Sequence, residues 1–595
     1  MHQKLLFALL SGATMFTGVR GQQQPCKERI SPPLAKFTKP LDIPDVLVPK
    51  VKGWIHPNSS QEMDFYEITI KPTSQKIFDD IPGETNLLGY NGQVPGPTIK
   101  VTKGTETVVR FVNEHDVEKV VHLHGSYSRA VFDGWAEDFI PPGHYKDYYY
   151  PNKQNARPLW YHDHADPHTE EHVRKGLAGF YFIEDPALEE QFKLPAGDFN
   201  VPLMLGAHLF SPTGQVMSLN NDHGDVFTVN GKPWPFFNVQ PRKYRFQILN
   251  ASSNRHSNLS FKSASDERIP MTVVGADGGY SSRPVDTENL VMGMAERYTV
   301  VFDFTDFAGQ NVTSAHTPLG SGSRFRADSE YYTLPNCQGE HITNNVMQFR
   351  VSSSPPTDTT NNGPVPEQLV PREEFPVGTA NQEFVFGRGL TINGATFMNK
   401  DQQILRNVPR GTVEQWRFSY NVPATLTSPS HPIHVHLIDF EVLSRGESSR
   451  GVPEYERVAV KDVVNVGPGE VVDVAARFAP WPGVYMLHCH NTFHEDRGMM
   501  AGFNVTKLLE FGYDETTIEL EHPLDPDFAA KPFVAPATTE EIENVLLPHF
   551  GDLRAYENPA EVLEALEEYH ATRIPTPTGV TTTTGLPPIA TQTGA

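Results

Sequence analysis

Four histidine pairs of the form His-x-His stand in this chain: His122/His124, His162/His164, His434/His436 and His488/His490. On an extended strand, residues i and i+2 share a face about 6–7 Å apart, so each pair directs two imidazoles into one space. Eight neutral imidazoles converging without partners would be costly to bury, and metal coordination is the usual resolution. The fourth pair encloses Cys489 and is followed by His494 and Met499. Neighbouring strand residues point to opposite faces, so the Cys489 sulfur faces away from the space that receives His488 and His490. A thiolate with two imidazoles and a weak axial thioether is the ligand set of a blue-copper electron-transfer centre. His494 and Met499 lie where a returning loop supplies them, and His431, three residues before His434, provides the second imidazole. Two copper sites joined through Cys489 and its flanking histidines imply one-electron chemistry.

The elements that must position these residues are strands. Gly 45 and Pro 51, with Phe 36 and Tyr 20, favour many short strands and turns over long helices. Asn-Gly turns at Asn91-Gly92, Asn230-Gly231 and Asn393-Gly394 each precede a strand-like Arg-Phe segment, around Arg110-Phe111, Arg245-Phe246 and Arg417-Phe418. Three similar units follow, expected at 40–190, 195–350 and 367–530, with a polar, proline-rich linker from Ser352 to Pro366. Strand-rich units of this length suggest Greek-key sandwiches or barrels in an all-β chain. A C-terminal extension, 531–595, carries a helix opening at Asn558-Pro559 and then a Pro/Thr-rich tail. His168 and His172 have helical i, i+4 spacing and read as a solvated turn.

Composition narrows the partners. The 595 residues carry a net charge of −23, which repels phosphate backbones and anionic lipid, so neither nucleic acid nor a membrane is expected as partner. Residues 1–21 read as a secretory signal peptide: Lys4, an apolar run from Leu5 to Leu10, then small residues to Gly21. The mature chain is therefore expected outside the cell, in the medium or the cell wall, as a monomer. Five sequons, at Asn58, Asn250, Asn258, Asn311 and Asn504, would then be open to glycosylation. With Cys489 taken as a ligand, Cys26 and Cys337 remain, either as a disulfide or as two free thiols.

These residues resemble the multicopper oxidases, over a stretch from about Asn91 to Val505. The resemblance implies three cupredoxin-like domains, four coppers per chain, and a trinuclear cluster between the first and third domains. It places His122 and His434 on the type 2 copper. It places His124, His162, His164, His436, His488 and His490 on the type 3 pair, and His431, Cys489, His494 and Met499 on the type 1 copper. Within the family, His122-Leu-His-Gly-Ser-Tyr-Ser-Arg129, Asp133-Gly-Trp-Ala-Glu-Asp138, Lys146-Asp-Tyr-Tyr-Tyr150 and His488-Cys-His-Asn-Thr-Phe-His-Glu-Asp496 are similar to fungal bilirubin oxidases and laccase-like phenol oxidases. Most laccases carry Trp where this chain has Leu123. The bilirubin oxidases carry Trp two residues before the position of His431, where this chain has Pro429 and so lacks a large aromatic surface at the type 1 site.

The implied reaction couples one-electron oxidation of small phenolic or polycyclic aromatic substrates to four-electron reduction of O2 to water, with pigment or secondary-metabolite precursors a natural use. That reduction consumes four protons, and Asp133 and Glu495 match positions that resemble the family's proton-relay acids. A metal-ion oxidase acting on Fe(II) or Cu(I) is the alternative enzyme, although Ser428-Pro429-Ser430 before His431 offers no acid. A copper-binding or storage protein is the alternative of another class, and the Cys489 bridge argues against it.

Overall fold

The computed structural model describes residues 31–571, apart from 33, 220–222, 317–344, 373–374, 376–377, 424–429, 447–450, 509–519 and 554–558. Cys26, Cys337, Pro429 and the expected signal peptide lie outside the described residues. The chain is all-β, built of three cupredoxin-like domains.

The same pairing pattern recurs three times. In each domain the Arg-Phe strand, Glu106–Asn113, Lys243–Asn250 or Val413–Ser419, runs parallel to an earlier strand of that domain, respectively Glu62–Gln75, Asn200–His208 and Gln382–Gly387. On its other side it pairs antiparallel with His144–Tyr150, Arg297–Asp303 or Val471–Arg477. The Asn-Gly turns fix this register. Both residues of each turn have positive φ, from 48° at Asn230 to 79° at Gly394, a conformation that Asn and Gly adopt at least cost. Each Asn side chain then accepts a strand N–H: Asn91 from Thr69 at 2.8 Å, Asn230 from Met204 at 2.7 Å and Asn393 from Val385 at 2.7 Å.

A second sheet closes each domain. In the first it contains Val121–His124 and Arg157–Asp163, in the second Ser257–Lys262 and Asn311–His316, and in the third His431–Val435 and Gly483–Cys489. The core of the middle domain is aromatic, with Phe261 stacked on Phe302 at 4.2 Å and Phe246, Phe304 and Phe349 around them. The chain beyond residue 530 returns to the first domain: Lys531–Pro532 pairs with His144–Tyr150, and Ile542, Leu547 and Phe550 enter that domain's core.

Two expectations are corrected. Asn250 and Asn258 are buried on strands of the middle domain, and the Asn250 amide donates to Arg255 O at 2.9 Å, so neither is open to a glycan. Asn58 and Asn311 are exposed. His172 is not solvated: the helix Thr169–Arg174 turns it inward, where its Nδ1 lies 2.9 Å from Asp163 and its Nε2 3.1 Å from the Lys119 amine.

Candidate metal centres

Strand register brings the first-domain histidines together. In the antiparallel pair Val121–His124 and Arg157–Asp163, His122 lies opposite His162. In the third domain His434 lies opposite His488, and Ile433 opposite Cys489. The two sets meet across the domain boundary, where His124 stacks on His434 with centroids 3.6 Å apart and His122 on His436 at 3.9 Å. All eight rings are at most 2 % exposed.

Each ring's outward nitrogen shows why this array fits a metal. His122 Nδ1 is 2.5 Å from Asp133 O, and His434 Nδ1 is 2.8 Å from Asp462 O; each donates to that carbonyl. Their Nε2 lone pairs therefore face each other, 3.4 Å apart. His436 Nδ1 lies 2.7 Å from the Asp133 carboxyl, and His488 Nδ1 lies 3.2 Å from the Glu495 carboxylate. Their Nε2 atoms also confront each other, at 3.2 Å, and His164 Nε2 is 3.3 Å from His488 Nε2. His124 Nε2 is engaged by Asp462 at 3.2 Å, leaving its Nδ1 without a hydrogen-bond partner, as are His162 Nε2 and both nitrogens of His490. Opposed lone pairs in a dry site repel unless cations lie between them, and the donor set is that of copper. Burial first, then the neighbouring imidazoles, depresses His122, His124, His434, His436 and His490 far below the usual histidine range, and brings His162 to about 3. These six rings are neutral at physiological pH, as ligands must be.

Cys489 turns the other way from the same strand. Its sulfur lies 3.3 Å from His431 Nδ1 and 3.6 Å from His494 Nδ1, and all three residues are buried. His494 rides on the short helix Thr492–Glu495, and the chain closes behind it: Met499 N–H donates to His494 O at 3.2 Å, and Cys489 N–H to Met499 O at 3.1 Å. Met499 is fully buried in the same core as Cys489.

The two acids sit at the shared cluster, and their surroundings shift them in opposite directions. Burial holds the Asp133 carboxyl far above the ordinary carboxylate range; its Oδ2 faces His436, and its Oδ1 has no hydrogen-bond partner. Burial would raise Glu495 too, but His488, His164 and His162 outweigh it and hold the group below its ordinary value. Its oxygens lie 3.2 Å from His488 Nδ1 and 3.6 Å from His164 Nε2.

Sequence reasoning missed the brace behind the cluster. Asp462, which holds His124 and His434, is gripped by Arg297 of the middle domain through two 2.6 Å bonds, and Arg297 also donates to Pro158 O of the first domain. Burial pushes Asp462 up to about 6 against the pull of Arg297. Neither residue belongs to a motif, and they stand 165 residues apart in the chain. Trp160, stacked on His162 at 4.1 Å, is a second supporting residue; its place two positions before that histidine was the available signal.

Three β-domains, a buried imidazole array shared by the first and third, and a cysteine–histidine group behind it define a copper-dependent oxidase. The comparisons agree. The multicopper oxidase family model matches residues 73–188, 160–330 and 367–508. The chain is 44% identical over 520 residues to the bilirubin oxidase of Albifimbria verrucaria, covering 85% of this chain and 87% of that one. It is 32% identical to a laccase of Bacillus subtilis, over 80% and 99% of the two chains. Among solved structures, the McoA multicopper oxidase of Aquifex aeolicus superposes with a TM-score of 0.67 at 25% identity, covering 80% of this chain and all of that one. A Campylobacter jejuni multicopper oxidase described as a metallo-oxidase shares the fold at 21% identity, with a TM-score of 0.64 over 81% and 98% of the two chains. This chain belongs to the multicopper oxidases; it is an oxidoreductase that binds copper and uses O2.

Proposed function

We propose that the chain oxidises small phenolic or polycyclic aromatic compounds, with His431, Cys489, His494 and Met499 holding the type 1 copper and His122 and His434 the type 2. His124, His162 and His490 would hold one type 3 copper, and His164, His436 and His488 the other. The observation that carries the ligand scheme is the opposition of imidazole lone pairs on one side of a strand whose Cys489 faces a second imidazole pair on the other. Copper held by these residues would supply one-electron oxidation of the substrate and, with four electrons and four protons, reduction of O2 to two waters. Cys489 supplies the covalent path, since its backbone neighbours on both sides are cluster histidines.

The acids divide the proton work. Asp133 accepts the His436 N–H through Oδ2 and keeps its own proton on Oδ1, ready for delivery. Glu495, held ionised by His488 and His164, collects protons from outside and refills the site. Arg297 and Asp462 keep the first and third domains in register.

The chain is proposed to be exported after removal of residues 1–21, glycosylated at Asn58 and Asn311, and monomeric. Oxygen uptake by the copper-loaded enzyme tests the substrate class, comparing kcat/KM for a p-diphenol, bilirubin and Fe(II). The reading requires an aromatic substrate to lead Fe(II) by at least about tenfold, or about 1.4 kcal/mol. A lead for Fe(II) would make the chain a metal-ion oxidase.

A further inference from the structure

Two rings of the shared cluster stand on either side of a residue that turns away from it. His162 and His164 face the other imidazoles, while Asp163 between them is fully buried and points back to the helix Thr169–Arg174. Its Oδ1 accepts two hydrogen bonds, from Ala165 N–H at 3.1 Å and from His172 Nδ1 at 2.9 Å. The first closes a tight turn around His164, and the second ties that turn to the helix. The same segment is held by its backbone: His164 N–H donates to Val120 O at 3.0 Å, and Leu177 N–H, beyond the helix, to His172 O at 3.0 Å.

Lys119 decides which nitrogen of His172 carries the hydrogen. Its buried amine lies 3.1 Å from His172 Nε2 and donates to Val117 O at 2.9 Å and Glu118 O at 3.0 Å. An ammonium group only donates, so Nε2 accepts and the ring hydrogen sits on Nδ1, aimed at Asp163. His164 depends on this support more than its neighbours do. The Nδ1 atoms of His122, His434 and His436 are each fixed by an oxygen, whereas His164 Nδ1 is buried with no hydrogen-bond partner. The ring is therefore aimed by its backbone, and the backbone by Asp163.

We infer that His172 is a positioning residue for His164: through Asp163 it fixes the turn that aims this ring at its copper, and Lys119 in turn fixes His172. The inference rests on the proposed assignment of His164 as a type 3 ligand. Without the Nδ1 donor, the buried Asp163 carboxylate keeps one hydrogen bond, and the segment from Asp163 to Ala165 shifts to regain a second, carrying His164 with it. Partners that orient a metal-binding imidazole are worth about 10–100-fold in metal affinity.

The test compares His172→Leu with His172→Asn in the copper-loaded enzyme. An asparagine amide nitrogen takes the place of imidazole Nδ1, so the Asn variant keeps the bond to Asp163 and the Leu variant loses it. His172→Leu should weaken copper retention by the shared cluster against a chelator about tenfold or more and diminish the near-ultraviolet band of the type 3 pair. The blue thiolate-to-copper band and the rate of anaerobic type 1 reduction should stay unchanged, and His172→Asn should restore both type 3 readouts. If His172→Leu does not fold, His172→Gln replaces it: its amide lies one carbon too far out to serve Asp163 and should show the same losses. A normal type 3 band in the Leu or Gln variant, an Asn variant as defective as either, or equal loss of both bands overturns the inference. His164→Ala keeps the two readings apart. An intact type 3 band there refutes the ligand assignment itself, whereas its loss there beside an intact His172→Leu refutes the positioning role alone.

Discussion

The two histidine groups of this enzyme are built on opposite plans. The Cys489 group lies within one domain: His431, Cys489 and His494 come from two adjacent strands and the short helix that follows one of them, and Met499 from the chain just beyond that helix. The shared cluster takes half its rings from the first domain and half from the third, stacked across the boundary and braced by Arg297 of the middle domain. A local group is as stable as its own domain, whereas a shared one exists only while three domains stay docked. The middle domain sharpens the point: its corresponding strand, Ser257–Lys262, carries Leu259 and Phe261 into an aromatic core and has no histidine. The sheet provides geometry; the side chains decide whether it becomes core or ligand.

Substitutions can separate the two plans. Cys489→Ser should have the largest effect, abolishing the blue band and lowering oxidase turnover by at least about a thousandfold while the shared cluster keeps its copper. Visible spectroscopy with copper analysis reads both, and survival of the band would refute the ligand scheme.

Arg297→Met should do the converse. It leaves Asp462 buried without its cation, at about 3–5 kcal/mol, so the shared cluster loses metal while the blue band stays. Paramagnetic resonance of the type 2 signal, set against the blue absorbance, measures the split. Equal loss of both would mean that the Cys489 group is not independent.

Asp133→Asn should slow O2 reduction by about a hundredfold with the rate of type 1 reduction unchanged, because the lost proton lies at the shared cluster. Stopped-flow reduction under anaerobic conditions, followed by reoxidation, distinguishes the two half-reactions. Glu495→Gln should act in the same half-reaction but more weakly, by about tenfold, since it refills rather than delivers.

The smallest effect is on stability against pH. Burial lowers the Lys119 amine to about 8, against an ordinary value of 10.5. Between these values the unfolded chain binds more protons than the folded one, so this lysine's contribution to stability rises with pH from about 8 to 10.5. The side chain is buried, and Lys119→Met should remove this rise in denaturant titrations across that window.

Much of this was legible in the sequence, for physical reasons. Period-2 spacing fixes which side chains share a strand face, so the four histidine pairs and the reversed Cys489 could be read without coordinates. The Asn-Gly turns were legible because left-handed backbone restricts the residues that fit. Asp462 and Arg297 were not, because a buried ion pair between distant segments leaves no local pattern. His172 read as solvated because its inward partners, Asp163 on a strand and Lys119 in the preceding loop, are set by packing rather than by helical spacing. The sequons at Asn250 and Asn258 misled for the same reason: a tripeptide does not report which face of a strand its asparagine occupies.

The near-complete burial of the eight shared rings has a temporal consequence. An ion that arrives before the first and third domains dock meets two open half-sites, whereas one reaching the docked protein finds almost no imidazole surface. Copper added to protein purified after growth without copper, with metal content measured over time, checks whether loading has to precede docking.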